Sequence, residues 1–276
     1  MNLVWAGDFY ADPEVLLPGV AGKRNLQRMY DHVAPYIRQH DERHMIFYEP
    51  VTWGMITDNQ IVGSGFDHVP GGTEYADRSA FSYHYYCDSF VPSYADKPVL
   101  TKVVCDEAIA PLVWRAVQEE TARLGGGAMM TEGMACDFSK NESARECEAV
   151  LAQLDAHLLS FTDYGVSQGA TFEPIPQQQE GWARTHAQAI AGTPLNMTFD
   201  PTTKDFEFCF TPDASLTVPT IIFASLGYSY PTGRHITTTP NLEVVDAAAA
   251  SEGDLIAVTP ARDAAPAVAC VWVSRS

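Results

Sequence analysis

Positive charge is what this chain has least of. Seventeen Lys and Arg stand against 35 Asp and Glu in 276 residues, a formal net charge of −18. Nucleic acid and an anionic membrane surface both need a basic face, so neither is expected as a partner, and neutral or cationic partners stay open. Long apolar runs are missing too. The longest, near 265–273, is strand-sized, and no transmembrane segment is expected. Met1-Asn2-Leu3-Val4-Trp5 has no basic n-region and no long apolar stretch after it, so it does not read as a signal peptide. The six cysteines, Cys87, Cys105, Cys136, Cys147, Cys209 and Cys270, lack the close-paired spacing of a zinc site, and no metal or other cofactor is expected.

An even cysteine count and two sequons, Asn141-Glu142-Ser143 and Asn196-Met197-Thr198, fit a secreted glycoprotein made in an oxidising compartment. Disulfides are expected between Cys87 and Cys105 and between Cys136 and Cys147. Cys209 and Cys270 could pair or stay reduced. A secreted protein without a signal peptide suggests a native start upstream of Met1.

The first two thirds of the chain alternates strands with helices. Leu26, Met29, Tyr30, Val33 and Ile37 are spaced as on an amphipathic helix, which Pro35 should bend or shorten. Met45 to Pro50 reads as a strand that delivers Glu49 at its C-terminal end. After a long Gly- and Pro-rich connection, Ala80 to Tyr86 reads as the next strand, with His84 and Tyr86 on one face. Pro111 opens a helix with Leu112, Val113, Ala116, Val117 and Leu124 inward, closed by Gly125. Gly126-Gly127-Ala128-Met129-Met130-Thr131-Glu132-Gly133 is a buried parallel strand with a carboxylate at its C-terminal end, where α/β folds keep their chemistry. Ser143 and Glu146 form a capping box ahead of the stripe Cys147, Val150, Leu151, Leu154 and Leu158, and Leu158 to Tyr164 reads as a last strand.

About four strand–helix units fit half of a (β/α) barrel or an open sheet. Past about Pro194 come short strands separated by Pro, Gly and Asp: 196–199, 205–210, 220–226, 235–239, 242–246, 255–259 and 267–274. Phe206, Phe208 and Phe210 alternate with Glu207 and Cys209, as in a half-buried antiparallel strand, and a small β-sandwich is expected.

Four stretches are more specific. Phe47-Tyr48-Glu49-Pro50-Val51-Thr52-Trp53-Gly54, Gly63-Ser64-Gly65-Phe66-Asp67-His68-Val69-Pro70-Gly71-Gly72, Tyr83-His84-Tyr85-Tyr86-Cys87 and Ile190-Ala191-Gly192-Thr193-Pro194-Leu195-Asn196-Met197-Thr198-Phe199-Asp200 occur in an order that resembles the endoglycoceramidases, retaining glycosidases of glycoside hydrolase family 5. The resemblance runs along essentially the whole chain. It implies an α/β plus all-β architecture: residues 1–186 as the C-terminal half of a (β/α)8 barrel, strands 4 to 8, and 187–276 as an antiparallel β-sandwich. The implied substrate is a glycosphingolipid, or another β-glycoside, cut between sugar and ceramide, and the implied location is extracellular or lysosomal.

By the same resemblance Glu132 is the nucleophile, Asn2 holds the sugar 2-hydroxyl, and His84 and Tyr86 are the His-x-Tyr pair beside the nucleophile. Phe161 stands where the family has a stacking tryptophan. The family's acid/base glutamate lies in Asn-Glu-Pro, but this chain reads Asn2-Leu3-Val4. Leu3 can neither protonate a leaving oxygen nor activate water, a loss of roughly 10²- to 10⁴-fold. Glu49 lies on a different strand from the lost glutamate, so the reading keeps it as a sugar contact only. Trp53, Phe66 and His68 are candidates to line the sugar or lipid path. Two outcomes stay open: a glycosidase, or a remnant that binds sugar without cleaving it. An unclosed set of barrel strands has open edges, which predicts pairing with a second half-barrel or aggregation.

Overall fold

A computed structural model describes residues 12–51, 56–57, 60–61, 63–86, 105, 108–134, 136–164, 175–246, 253–261 and 267–276. Two compact units are present. One comprises Met1–Ala135 and Leu159–Tyr164, the other Cys136–Leu158 and Gly165–Ser276.

In the first unit, helix α1 (Gln27–Arg38) precedes strand β1 (Ile46–Tyr48), a small hairpin of β2 (Ile56–Thr57) and β3 (Gln60–Ile61), and strand β4 (Ser79–Tyr85). Helix α2 (Ala110–Leu124) then leads into β5 (Gly127–Gly133), and β6 (Ser160–Phe161) completes the sheet. The order is β1-β4-β5-β6, with every pair parallel. All four strands therefore present their C-terminal ends on one side.

Alternation along the strands sorts the side chains into two layers. Tyr48, Phe81, Tyr83 and Met130 are fully buried, and Trp114 of α2 lies against Tyr83 and Tyr85 at ring-centroid distances of 5.8 and 5.2 Å. Tyr48 meets both Phe66 and Phe81 at 5.6 Å. Each such ring contributes about 1.5–3 kcal/mol through burial, so this layer holds the sheet. Phe66 is 1% exposed, which corrects its expected place on a substrate path: it packs on Tyr30 and Tyr48 in the core. Helix α2 begins with a proline in its first turn and ends at Gly125, whose φ of +82° is a conformation that glycine adopts without penalty.

Helix α1 departs from its reading. It runs to Arg38, past Pro35. Of the expected stripe Leu26 is buried and Tyr30 half-buried against Tyr48 and Phe66, but Met29, Val33 and Ile37 are exposed, and Gln27, Ala34 and Arg38 are buried instead. Polar work explains the rotation of the buried face. The Arg38 guanidinium donates to the carbonyls of His44 (2.7 Å) and Arg78 (2.9 Å), and the Gln27 side chain accepts the Asp67 N–H at 2.9 Å. Loop carbonyls buried without such donors would be costly.

Among its described residues the second unit holds helices α3 (Asn141–Ala156) and α4 (Pro176–Trp182) and eight strands. β7 (His186–Ala189), β10 (Thr220–Phe223), β12 (Leu242–Asp246) and β13 (Leu255–Pro260) form an antiparallel sheet in the order β12-β13-β10-β7. β8 (Gly192–Phe199), β9 (Phe206–Pro212), β11 (Arg234–Thr238) and β14 (Ala269–Arg275) form another in the order β11-β14-β9-β8. Phe206, Phe208, Phe210, Val271 and Val273 from one sheet share a buried cluster with Ile222, Ile256 and Val258 from the other. Seven of these eight strands fall on the expected segments; β7 was not foreseen. Cys209 and Cys270 sit opposite each other on β9 and β14 and are bonded.

The stripe Cys147, Val150, Leu151 and Leu154 of α3 is buried as its spacing predicts, and Cys136 and Cys147 are bonded. The capping box does not form. α3 starts at Asn141, and the Ser143 hydroxyl instead accepts the Asp137 N–H at 2.9 Å. The expected strand from Leu158 is reduced to Ser160–Phe161, because Leu158 takes a left-handed turn at φ +56°. Cys105 is disulfide-bonded; Cys87, its expected partner, lies outside the described residues. A parallel sheet with helical crossovers and a pair of antiparallel sheets fit a partial barrel followed by a second, all-β part.

Candidate active site

The C-terminal ends of β1, β4 and β5 bring Glu49, His84, Tyr86 and Glu132 together. β4 and β5 run in simple register to the pair Tyr83 and Met130, then shift by one residue so that His84 stands opposite Glu132. The next residue, Gly133, permits this approach: a Cβ there would lie 2.7 Å from the Tyr85 carbonyl oxygen. The chain leaves the strand through Met134 at φ +64°, whose N–H donates to that same carbonyl at 3.1 Å.

Glu132 is held from one side and open on the other. The Tyr86 hydroxyl donates to Glu132 Oε1 at 2.8 Å, and His84 Nε2 lies 3.9 Å from Oε2. Burial pushes the Tyr86 phenol upward, and the hydrogen bond to the Glu132 carboxylate adds to this, so the phenol remains a donor at any working pH. The Glu132 side chain keeps 37% exposure, enough to be reached by a ligand. Below it, the hydroxyls of Ser82 and Thr131 bond at 2.5 Å and Thr162 Oγ1 donates to the Thr131 carbonyl, tying β4, β5 and the end of β6 together.

On the far side of His84, Nε2 is 3.3 Å from Glu49 Oε1. Glu49 is fixed through its backbone: its N–H donates to the Tyr30 hydroxyl at 2.8 Å, and that hydroxyl lies 3.2 Å from the Glu49 carbonyl. Sequence reasoning missed this clamp. Tyr30 carried only the signal of a tyrosine on an apolar stripe.

Not every expected residue joins the cluster. His68 Nε2 lies 3.1 Å from Asp31 Oδ1 on α1. Phe161 is on β6, in register with Met130 of β5. Asn2, Leu3 and Trp53 lie outside the described residues. Among the described residues, no group of three or more His, Cys, Asp or Glu is arranged to hold a metal ion. Chemically, the arrangement offers one oriented carboxylate, a phenol donor, an imidazole and a second carboxylate within a few ångströms.

The model of the glycoside hydrolase family 5 C-terminal domain matches residues 184–268. An endoglycoceramidase of Cyanea nozakii is 29% identical over 262 residues, covering 87% of this chain and 46% of its own length. An endoglycoceramidase of Hydra vulgaris is 30% identical over 253 residues, covering 88% and 44%. The chain is similar to endoglycoceramidases along most of its length, and its C-terminal part matches a domain of glycoside hydrolase family 5. The fold agrees: endo-glycoceramidase II from Rhodococcus sp., in its ganglioside GM3 complex, superposes with a TM-score of 0.75 at 18% identity over 94% of this chain and 56% of that one. This chain spans less than half the length of the curated relatives it matches.

Proposed function

We propose that the chain is the part of a retaining, endoglycoceramidase-type glycosidase that carries the nucleophile. Its substrate class is a glycosphingolipid, cut at the β-glycosidic bond between sugar and ceramide. One observation carries the reading: Glu132 stands at a strand's C-terminal end with Oε1 fixed by Tyr86 at 2.8 Å and Oε2 left for an incoming anomeric carbon. A retaining mechanism needs a carboxylate in that state, since it attacks the sugar and forms a glycosyl–enzyme ester. The architecture that goes with this reading is a half-barrel of strands 4 to 8 with a C-terminal β-sandwich, in an extracellular or lysosomal protein.

The test is mass spectrometry after incubation with a 2-fluoro β-glycoside bearing an activated leaving group, which needs no acid for its departure. An adduct on Glu132 is the expected result. A folded chain that takes up no label would refute the enzyme reading and leave a sugar-binding remnant, which Leu3 in the family's acid/base position favours.

A further inference from the structure

A retaining cleavage uses two carboxyl groups, and the described site contains a second one. His84 Nε2 stands between Glu49 Oε1 at 3.3 Å and Glu132 Oε2 at 3.9 Å. The two carboxylate oxygens are therefore no farther apart than those two spans laid end to end. That bound takes in the roughly 5–5.5 Å spacing that retaining enzymes use between nucleophile and acid/base. Position on a neighbouring strand argued against Glu49 when only the sequence was in view. The distances answer that objection, since the His84 imidazole at the end of β4, the strand between, reaches both groups.

Two more features suit Glu49 to proton transfer. Its backbone is clamped by Tyr30 in both directions, so the side chain projects from a fixed point. Its side chain keeps 19% exposure, largely sheltered from water. A sheltered carboxyl at a strand end, facing a second carboxyl across a histidine, is not needed to hold the fold together. The aromatic layer on the opposite face of the sheet does that.

We propose that Glu49 is the acid/base of this chain, acting in place of the glutamate that Leu3 has displaced. The inference rests on Glu132 being the nucleophile. In the first step Glu132 Oε2 bonds to the anomeric carbon as the bond from that carbon to the aglycone oxygen breaks, and the Glu49 carboxylic acid gives its proton to the departing oxygen. In the second, the Glu49 carboxylate takes a proton from water, the water oxygen bonds to the anomeric carbon, and the ester to Glu132 breaks. The rival carboxyl is Asp163, two residues past β6, whose charge acts on Tyr86.

The experiment compares Glu49→Ala, the isosteric Glu49→Gln and Asp163→Asn on an alkyl β-glycoside and on a dinitrophenyl β-glycoside, with and without azide. Both Glu49 variants should lose about 10²- to 10⁴-fold on the alkyl substrate, whose leaving oxygen needs a proton, and far less on the dinitrophenyl one. Azide should restore turnover of the dinitrophenyl glycoside by Glu49→Ala, with a glycosyl azide of unchanged anomeric configuration as product. Should Glu49→Ala fail to fold, the leaving-group dependence of Glu49→Gln decides alone. Equal losses on both substrates, or a loss confined to Asp163→Asn, would overturn the proposal. A wild-type chain that takes no 2-fluoro label on Glu132 fails the enzyme reading itself and removes the acid with it. Labelled wild type with fully active Glu49 variants defeats Glu49 and leaves the nucleophile standing.

Discussion

Replacing Tyr86 with phenylalanine should slow capture of an activated 2-fluoro glycoside by Glu132 about 10- to 150-fold. The substitution removes one atom with a defined partner. The Tyr86 hydroxyl donates to Glu132 Oε1 at 2.8 Å, and a hydrogen bond to a charged group contributes ~1.5–3 kcal/mol, or one to two powers of ten. The ring itself should stay, because its edge-on contact with Tyr164, at a centroid distance of 6.5 Å, needs no hydroxyl. Without the donor, the carboxylate can turn about its last bond, and Oε2 no longer faces one direction. Misplacing a reacting atom by about an ångström is enough to cost ~10²-fold. The assay is the second-order rate of adduct formation, followed by intact-protein mass spectrometry, with thermal melting as the check on fold. A variant that melts normally and labels within threefold of the parent would refute the view that Tyr86 orients the nucleophile.

Other outcomes follow from the second unit and from one exposed turn. Removing the Cys209–Cys270 disulfide, which spans 61 residues, should cost about 4 kcal/mol on chain-entropy grounds, against about 3 for Cys136–Cys147, which spans 11; calorimetry of the two Cys→Ala pairs should preserve that order, and a reversal would show that strain or residual structure dominates. Arg184→Met leaves Asp155 buried without the guanidinium that bonds both of its oxygens, and should cost about 3–5 kcal/mol in urea unfolding; a loss under 1 kcal/mol would mean that water reaches the carboxylate. The N–H groups of His44 and Arg43 hold the Asp41 carboxyl down to about 2. A depressed value means that its contribution to the native turn is present above the ordinary carboxylate range and is lost as pH falls through about 2, so a carboxyl-carbon NMR titration should show its midpoint there; a midpoint at the ordinary 3.8 would dismiss the turn hydrogen bonds.

Period and punctuation carried most of the fold. The glycine after α2, the proline in its first turn and the alternating Phe206, Phe208 and Phe210 are local signals with local causes, and the structure places each where its chemistry points. The α1 stripe was right for Leu26 and Tyr30 and wrong for Met29, Val33 and Ile37, because periodicity reports which residues share a face, not how far that face is turned inward. Arg38 and Gln27 are drawn inside by carbonyls and an N–H that sit up to 40 residues away in sequence, and no window of the helix contains that information. The capping box failed in the same way, since Ser143 found Asp137 N–H as an alternative donor. In the site, the strand-end carboxylates and the His84 and Tyr86 pair could be read directly, whereas the Tyr30 clamp on Glu49 could not. It joins a helix to a strand end through backbone groups, which leave no mark on residue type.

The site and the core of the first unit occupy opposite sides of the same strands, and this separates folding from catalysis. Tyr48, Phe81, Tyr83, Tyr85 and Trp114 are buried in that core. Glu132, His84 and Tyr86 contact one another at the strand ends and, apart from the Tyr86 and Tyr164 rings, add little to that layer. Substituting Glu132 or Glu49 should therefore remove the proposed chemistry at small cost in stability, and replacing an aromatic of the other layer should do the reverse. A folded chain is thus no argument for an active one. What distinguishes an enzyme from a sugar-binding remnant is whether a second carboxyl delivers a proton to the leaving oxygen, and within the described residues the candidates are Glu49, beside His84, and Asp163, whose charge reaches Tyr86.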